Sequence, residues 1–194
     1  MELLLVNKTA LHVQFRLTQG NLSGTFVLGE RSRFGLELRD EYCVTAVARL
    51  PEGLYETVSP VLNGRSHHLV MLRRDGEGQP PLVLSPGRVT ELDVLRCENT
   101  TARPVHVRAE RLYPKLDGML GVESRRSAVF DLSPRYEAQV LVNGITTAPL
   151  ALETLHSRVE VYVDNKTGKV GLCAKPFQNN KPLGSTQGTK VKQP

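Results

Sequence analysis

"VNKTALHVQFR" (Val6–Arg16) and "ENTTARPVHVR" (Glu98–Arg108) are two versions of one text. At an offset of 92 residues, Asn7 falls on Asn99, Thr9 on Thr101, Ala10 on Ala102, Val13 on Val105 and Arg16 on Arg108. The match extends outward. "LGERSRFGLEL" (Leu28–Leu38) aligns with "VESRRSAVFDL" (Val122–Leu132), and "EYCVTAVA" (Glu41–Ala48) with "RYEAQVLV" (Arg135–Val142), so Tyr42 lies over Tyr136. "SHHLVML" (Ser66–Leu72) aligns with "SRVEVYV" (Ser157–Val163), and "LVL" (Leu82–Leu84) with "VGL" (Val170–Leu172). Blocks recurring in the same order at similar spacing are the signature of an internal repeat.

Within each block the apolar period is two. Val13, Phe15 and Leu17 alternate with Gln14 and Arg16, and Val159 and Val161 alternate with Glu160 and Tyr162. Successive side chains on a strand point to opposite faces, so this pattern predicts half-buried antiparallel strands. No stretch carries a helical stripe, and "ALETLHSR" (Ala151–Arg158) reads as loop or strand. "VDNKTGKV" (Val163–Val170) reads as a hairpin in which Gly168 takes a positive φ, with "RRDGEGQPP" (Arg73–Pro81) as its counterpart. The fold class expected is all-β, a tandem duplication of a small antiparallel β-sandwich with roughly six or seven short strands per repeat. The expected units are residues 1–88 and 89–175, joined by "SPGRVT" (Ser85–Thr90) and packed on each other, with a flexible basic tail at 176–194.

Composition bounds the function. The net charge of +5 falls to about +1 once Lys175, Lys181, Lys190 and Lys192 are set aside, so the basic character belongs to the C-terminal stretch and nucleic acid is not the expected partner. Aromatic residues make up 5% and Trp is absent, which argues against aromatic platforms for glycans or a membrane-interface belt. "MELLLVNKTA" lacks the basic start and long apolar run of a secretion signal, and no stretch suits a membrane span, so a cytoplasmic location is expected. Cys43, Cys97 and Cys173 form no CxxC pattern and fit a reducing compartment. The four N-x-[ST] sequons, at Asn7, Asn21, Asn99 and Asn165, are read as turn chemistry rather than glycan acceptors.

Catalytic signatures are missing. His67 and His68 are adjacent on a predicted strand and face opposite ways, no metal-ligand spacing exists, and neither a nucleophile elbow nor a phosphate loop occurs. No enzyme activity, cofactor or metal is expected. Cys97 replaces Leu5 and reads as core; Cys173 follows the last strand. The residues put forward for binding are Arg31, Arg33, Arg125 and Arg126, in corresponding loops, with His67 and His68. The cadence of an Asn-Thr turn followed by alternating strands resembles small bacterial β-sandwich proteins of the aegerolysin-like kind. That resemblance implies membrane attack, whereas this chain lacks their aromatic surface, and no residue role carries over. The function expected is non-catalytic capture of a peptide or protein partner, at a sheet edge or in the groove between modules. The alternatives are a membrane- or glycan-targeting toxin or lectin, and a structural assembly subunit, for which a homo-oligomer is the natural state.

Overall fold

The computed structural model describes residues 2–74, 81–152 and 157–176. Strands account for 66% of the described residues and helix for none of them. The first half supplies β1 (Glu2–Asn7), β2 (Val13–Gln19), β3 (Leu22–Leu28), β4 (Arg33–Glu37), β5 (Arg39–Leu50), β6 (Gly53–Val58), β7 (Leu62–Asn63), β8 (His67–Arg73) and β9 (Leu82–Pro86). The second supplies β10 (Val94–Asn99), β11 (Val105–Tyr113), β12 (Leu116–Val122), β13 (Ser127–Asp131), β14 (Tyr136–Val142), β15 (Ile145–Thr146), β16 (Leu150–Leu152), β17 (Ser157–Val163) and β18 (Val170–Pro176). Each half therefore holds more strands than expected, because two- and three-residue strands such as β7, β15 and β16 are too short to show a period.

Three sheets build the molecule: β18-β17-β1-β4, β13-β10-β8-β9, and a long ten-stranded sheet whose path runs β15-β14-β2-β3-β12-β11-β5-β6. Every one of them draws strands from both sides of residue 88. β1 pairs in parallel with β17, and β10 in parallel with β8. In the long sheet β2 pairs with β14 and β11 with β5. The units expected at 1–88 and 89–175 are thus interleaved rather than closed on themselves. "SPGRVT" does not separate them: Ser85 and Pro86 belong to β9, and the segment leads into β10 of the same sheet. The physical reason is that alternation specifies which face of a strand is buried and says nothing about which strand lies beside it.

Two of the places where the chain changes sheet are equivalent short crossings into the long sheet, through Leu38 between β4 and β5 and through Leu132–Arg135 between β13 and β14. Leu38 and Leu132 are both buried there. Halfway along the long sheet, β3 and β12 meet at a single bridge, Ser23 to Asp117, which are themselves equivalent positions. Corresponding strands also share burial patterns, β3 and β12 reading alike along all seven residues. One apolar cluster joins the sheets, from Leu3, Leu5 and Val159 through Phe15, Val107 and Ala138 to Met71, Leu95 and Phe130.

One block of the sequence alignment needs a shift. Leu5 pairs with Val159, and its counterpart Cys97 pairs with Leu69, so Val159 corresponds to Leu69 and not to His68. A one-residue slip exchanges the two faces of a strand, and only the corrected register puts both Val159 and Leu69 in the core. The β17–β18 hairpin is as expected: Gly168 has φ 67° and its N–H donates to Asp164 O at 2.7 Å. Cys173 lies within β18, paired with Glu160, rather than after it. Residues 75–80 and 153–156 fall outside the described residues, as does the expected tail beyond Pro176.

The repeated Asn-x-Thr motif accounts for the opening echo. Asn99 is fully buried; its Oδ1 accepts from Thr101 N at 2.9 Å and Thr101 Oγ1 at 2.8 Å, and its Nδ2 donates to Arg103 O at 2.8 Å and Val122 O at 2.9 Å. Asn7 repeats this with Thr9, Leu11 O and Gly29 O. One carboxamide therefore closes the turn after the first strand and ties it to the end of the third. Asn99→Ala removes an acceptor and donors at once and leaves buried backbone groups unpaired. We expect a loss of about 2–3 kcal/mol in urea-monitored unfolding, against little effect from the same change at exposed Asn165.

Candidate functional site

The residues proposed from sequence do not converge. Arg31 and Arg125 occupy equivalent left-handed positions, φ 47° and 57°. Arg31 N donates to Thr9 O, and Arg126 O accepts from Asn99 N, so these backbones belong to the Asn-x-Thr turns. The side chains of Arg31, Arg33, Arg125 and Arg126 are exposed and form no ion pair with another described residue. His67 and His68 diverge. The His67 ring lies 6.5 Å from that of Tyr42 and contacts Gly64 O, whereas His68 contacts Arg88 O and Glu98 Oε2.

Among the described residues no three His, Cys, Asp or Glu side chains are grouped as metal ligands. Cys97 is fully buried, and burial pushes its thiol up to about 12, which leaves it unreactive at neutral pH. Glu160 is a buried carboxylate on β17. Burial pushes its pKa up, but Lys8 at 2.7 Å, Lys175 at 3.0 Å and Arg158 at 2.6 Å outweigh this and hold it below its ordinary value. The first lysine of the basic C-terminal stretch is thus fixed to the sheet.

A second polar cluster lies where the two halves meet. Arg111, the last inward-facing residue of the Val105, Val107, Ala109 series, is 1% exposed. Its counterpart at the same offset as the Asn-x-Thr motif is Gln19, and the two touch: Arg111 Nη1 donates to Gln19 Oε1 at 2.7 Å. Arg111 also donates to the Tyr136 hydroxyl, to Tyr113 O at 2.9 Å and to Asp40 Oδ1 at 3.1 Å. Its guanidinium lies 5.7 Å from the Tyr42 ring and 5.3 Å from the Tyr136 ring. Gln19 Nε2 donates onward to Leu132 O and Ser133 O, on the crossover to β14. The Arg111 side chain is closed to solvent and each of its nitrogens has a partner, with half-exposed Asp40 at the rim, so the cluster joins the halves.

The outward face of the long sheet carries two open depressions at equivalent positions. One, of about 210 Å³, is lined by His12, Gln14, Val27, Leu141 and Asn143; the other, of about 410 Å³, by Arg49, Leu50, Pro51, Arg103, Pro104 and His106. Neither encloses a small molecule, for which buried clefts are the rule.

The sheet edges differ more sharply. β4 and β13 are equivalent edge strands that border the β3–β12 junction: Phe34 of β4 stacks on Phe26 of β3 at 6.3 Å, and β13 contacts β12. Asn7 N donates to Ser32 O, so backbone polarity points toward β1 at even positions and away from it at Arg33, Gly35 and Glu37. On β13 one side chain covers two of the outward groups of Ser127, Val129 and Asp131. Asn21 Nδ2 donates to Val129 O at 3.3 Å, and its Oδ1 accepts from Asp131 N at 3.1 Å, taking two groups that an added strand would use. On β4 no side chain does this among the described residues: Lys115, which precedes Leu116 as Asn21 precedes Leu22, has no carboxamide and pairs with Glu110 instead. Arg33, Phe34, Gly35 and Glu37 are all exposed, and nothing lies within 4 Å of where a Gly35 Cβ would sit.

Sequence reading singled out Arg33 but neither its neighbours on the edge nor Asn21, Gln19 and Arg111. A signal existed for the last: an arginine on the apolar face of an alternating strand is out of pattern. No signal existed for Asn21, whose sequon looks like the other three. No protein-family model, curated protein or solved structure matches the chain.

Proposed function

We propose that this protein is a non-catalytic binding module that takes up an extended segment of a partner at the outer edge of β4. The observation that carries this reading is the difference between two equivalent edges, one partly covered by Asn21 and one whose outward backbone has no partner among the described residues and which carries an exposed phenylalanine. Open edges are a standing hazard that proteins block unless the edge is used, and strand addition supplies affinity through main-chain bonds. We read the halves as duplicated copies of one β-sandwich module whose strands became exchanged; the recurrence of the Asn7 bonds at Asn99 supports this. The three free cysteines support a reducing, cytoplasmic setting.

A library of random nonapeptides displayed on phage tests the reading. Selected peptides should bind one per chain. Gly35→Pro removes an outward N–H at a place where an edge strand tolerates proline, and should weaken binding at least about tenfold. Asn21→Ala should uncover β13 and raise the stoichiometry to two. Peptides indifferent to Gly35→Pro would move the site to the depressions on the long sheet.

A further inference from the structure

We infer that the occupant of the β4 edge is a second copy of this chain, joined through β4 to β4 about a two-fold axis at Gly35. The inference rests on the reading of β4 as the binding edge and adds the identity of the partner. It comes from the residues of the strand, Arg33-Phe34-Gly35-Leu36-Glu37.

Antiparallel self-pairing centred on Gly35 sets Arg33 of each copy opposite Glu37 of the other, and Phe34 opposite Leu36. Residues 33, 35 and 37 are those whose backbone groups point outward, so all three opposed pairs are hydrogen-bonded pairs. The charges match: directly opposed ions of opposite sign stabilise a strand pair and like ions oppose it. Arg33 has no described ion-pair partner within its own chain, and exposed Glu37 already receives Arg39 Nε at 2.8 Å, so a second guanidinium completes an Arg-carboxylate-Arg arrangement. At the axis the two backbones approach where neither copy carries a side chain. Phe34, 49% exposed, gains an apolar neighbour from the facing copy. The equivalent strand β13 could not do this, since Ser127 and Asp131 stand where Arg33 and Glu37 stand in β4 and Asn21 occupies the edge. Five residues bury far less than a permanent dimer requires, so the association belongs to the weak, reversible class.

Sedimentation equilibrium of the full chain tests this, run from low micromolar to about 500 µM, the range in which weak contacts populate. The wild type should self-associate. Arg33→Glu and Glu37→Arg each create like-charge pairs across the axis, and each alone should associate at least about tenfold more weakly. An equimolar mixture of the two variants should recover the dimer, because the acids of one then face the bases of the other. Thermal melts check that both variants fold. A wild type that stays monomeric throughout, or single variants that associate as the wild type does, overturns the proposal. In that event, phage-selected peptides whose binding is lost on Gly35→Pro keep β4 as the binding edge with a different partner. If Gly35→Pro changes neither association nor peptide binding, the edge reading itself fails.

Discussion

Gly118→Ala is expected to cost at least about 3 kcal/mol, and Gly118→Val to leave no folded protein at 37 °C, although the position is a strand residue with ordinary backbone angles. A Cβ there would lie 2.5 Å from the carbonyl oxygen of Asn21 and 3.2 Å from Leu22 Cδ2. The equivalent Gly24 meets Lys115 O at 2.4 Å and Leu116 Cδ2 at 2.8 Å. In both cases the obstacle is the backbone of the turn from the other half, which has nowhere to retreat. These glycines flank the Ser23–Asp117 bridge, the only pairing between β3 and β12, so a side chain at either one prises apart the seam of the long sheet. Gly121, on the same strand with nothing within 4 Å of its Cβ position, is the control: Gly121→Ala should lie within about 0.5 kcal/mol of wild type. Because Gly24 and Gly118 guard one seam, the double alanine variant should cost less than the sum of the singles by about 0.5–3 kcal/mol. Strict additivity in chemical denaturation would show that the two contacts are independent.

How far the sequence foretells this structure depends on whether a feature is local. The alternation at Val13, Phe15 and Leu17 requires nothing beyond the strand itself, and those residues are buried as read. The Asn-Thr turns are local as well. What is not local is partner choice: Leu17 lies beside Ala138 and Cys97 beside Leu69, pairings that join opposite halves of the chain. Two copies of the same alternating text suit either closed modules or interleaved ones equally well, since each strand offers the same apolar face to both. Edge status is further removed. "RFGLE" reads as a strand, but whether it is an edge depends on counting its neighbours, and whether that edge is open depends on which side chain, Asn21 or Lys115, the turn of the other half carries. The recurring residue pattern could be read because it is written in residue types. The asymmetry that suggests function lies at particular positions among the many where the two halves differ, and those carry weight only once the fold sets corresponding strands side by side.

Arg111 is the most consequential of these differences. Truncating it to alanine should cost about 2–4 kcal/mol, since a buried guanidinium is lost and buried Gln19 and the Tyr136 hydroxyl, with half-exposed Asp40, lose their donor. Gln19→Arg should be as damaging without removing any atom, because a second guanidinium would face Arg111 across the junction. The equivalent of Asp40 in the other half is a proline, Pro134, so no acid waits there to neutralise it. Arg111→Gln should fall between these and wild type, a second carboxamide restoring part of the contact with Gln19 and none of the charge. Alkaline unfolding gives an independent reading. Burial pushes the Tyr42 phenol up, from an ordinary value of 10.0 to about 12, and the Arg111 charge opposes that rise. A raised phenol pKa means the fold favours the protonated form. Stability from this group is complete below pH 10 and declines as the pH passes from 10 toward 12. Without Arg111 the phenolate loses its nearby cation, so the Tyr42 pKa should climb further, visible by ultraviolet difference titration in variants that remain folded. An Arg111→Ala protein that loses less than about 1 kcal/mol, with an unchanged tyrosine titration, would show that the guanidinium is not held as described.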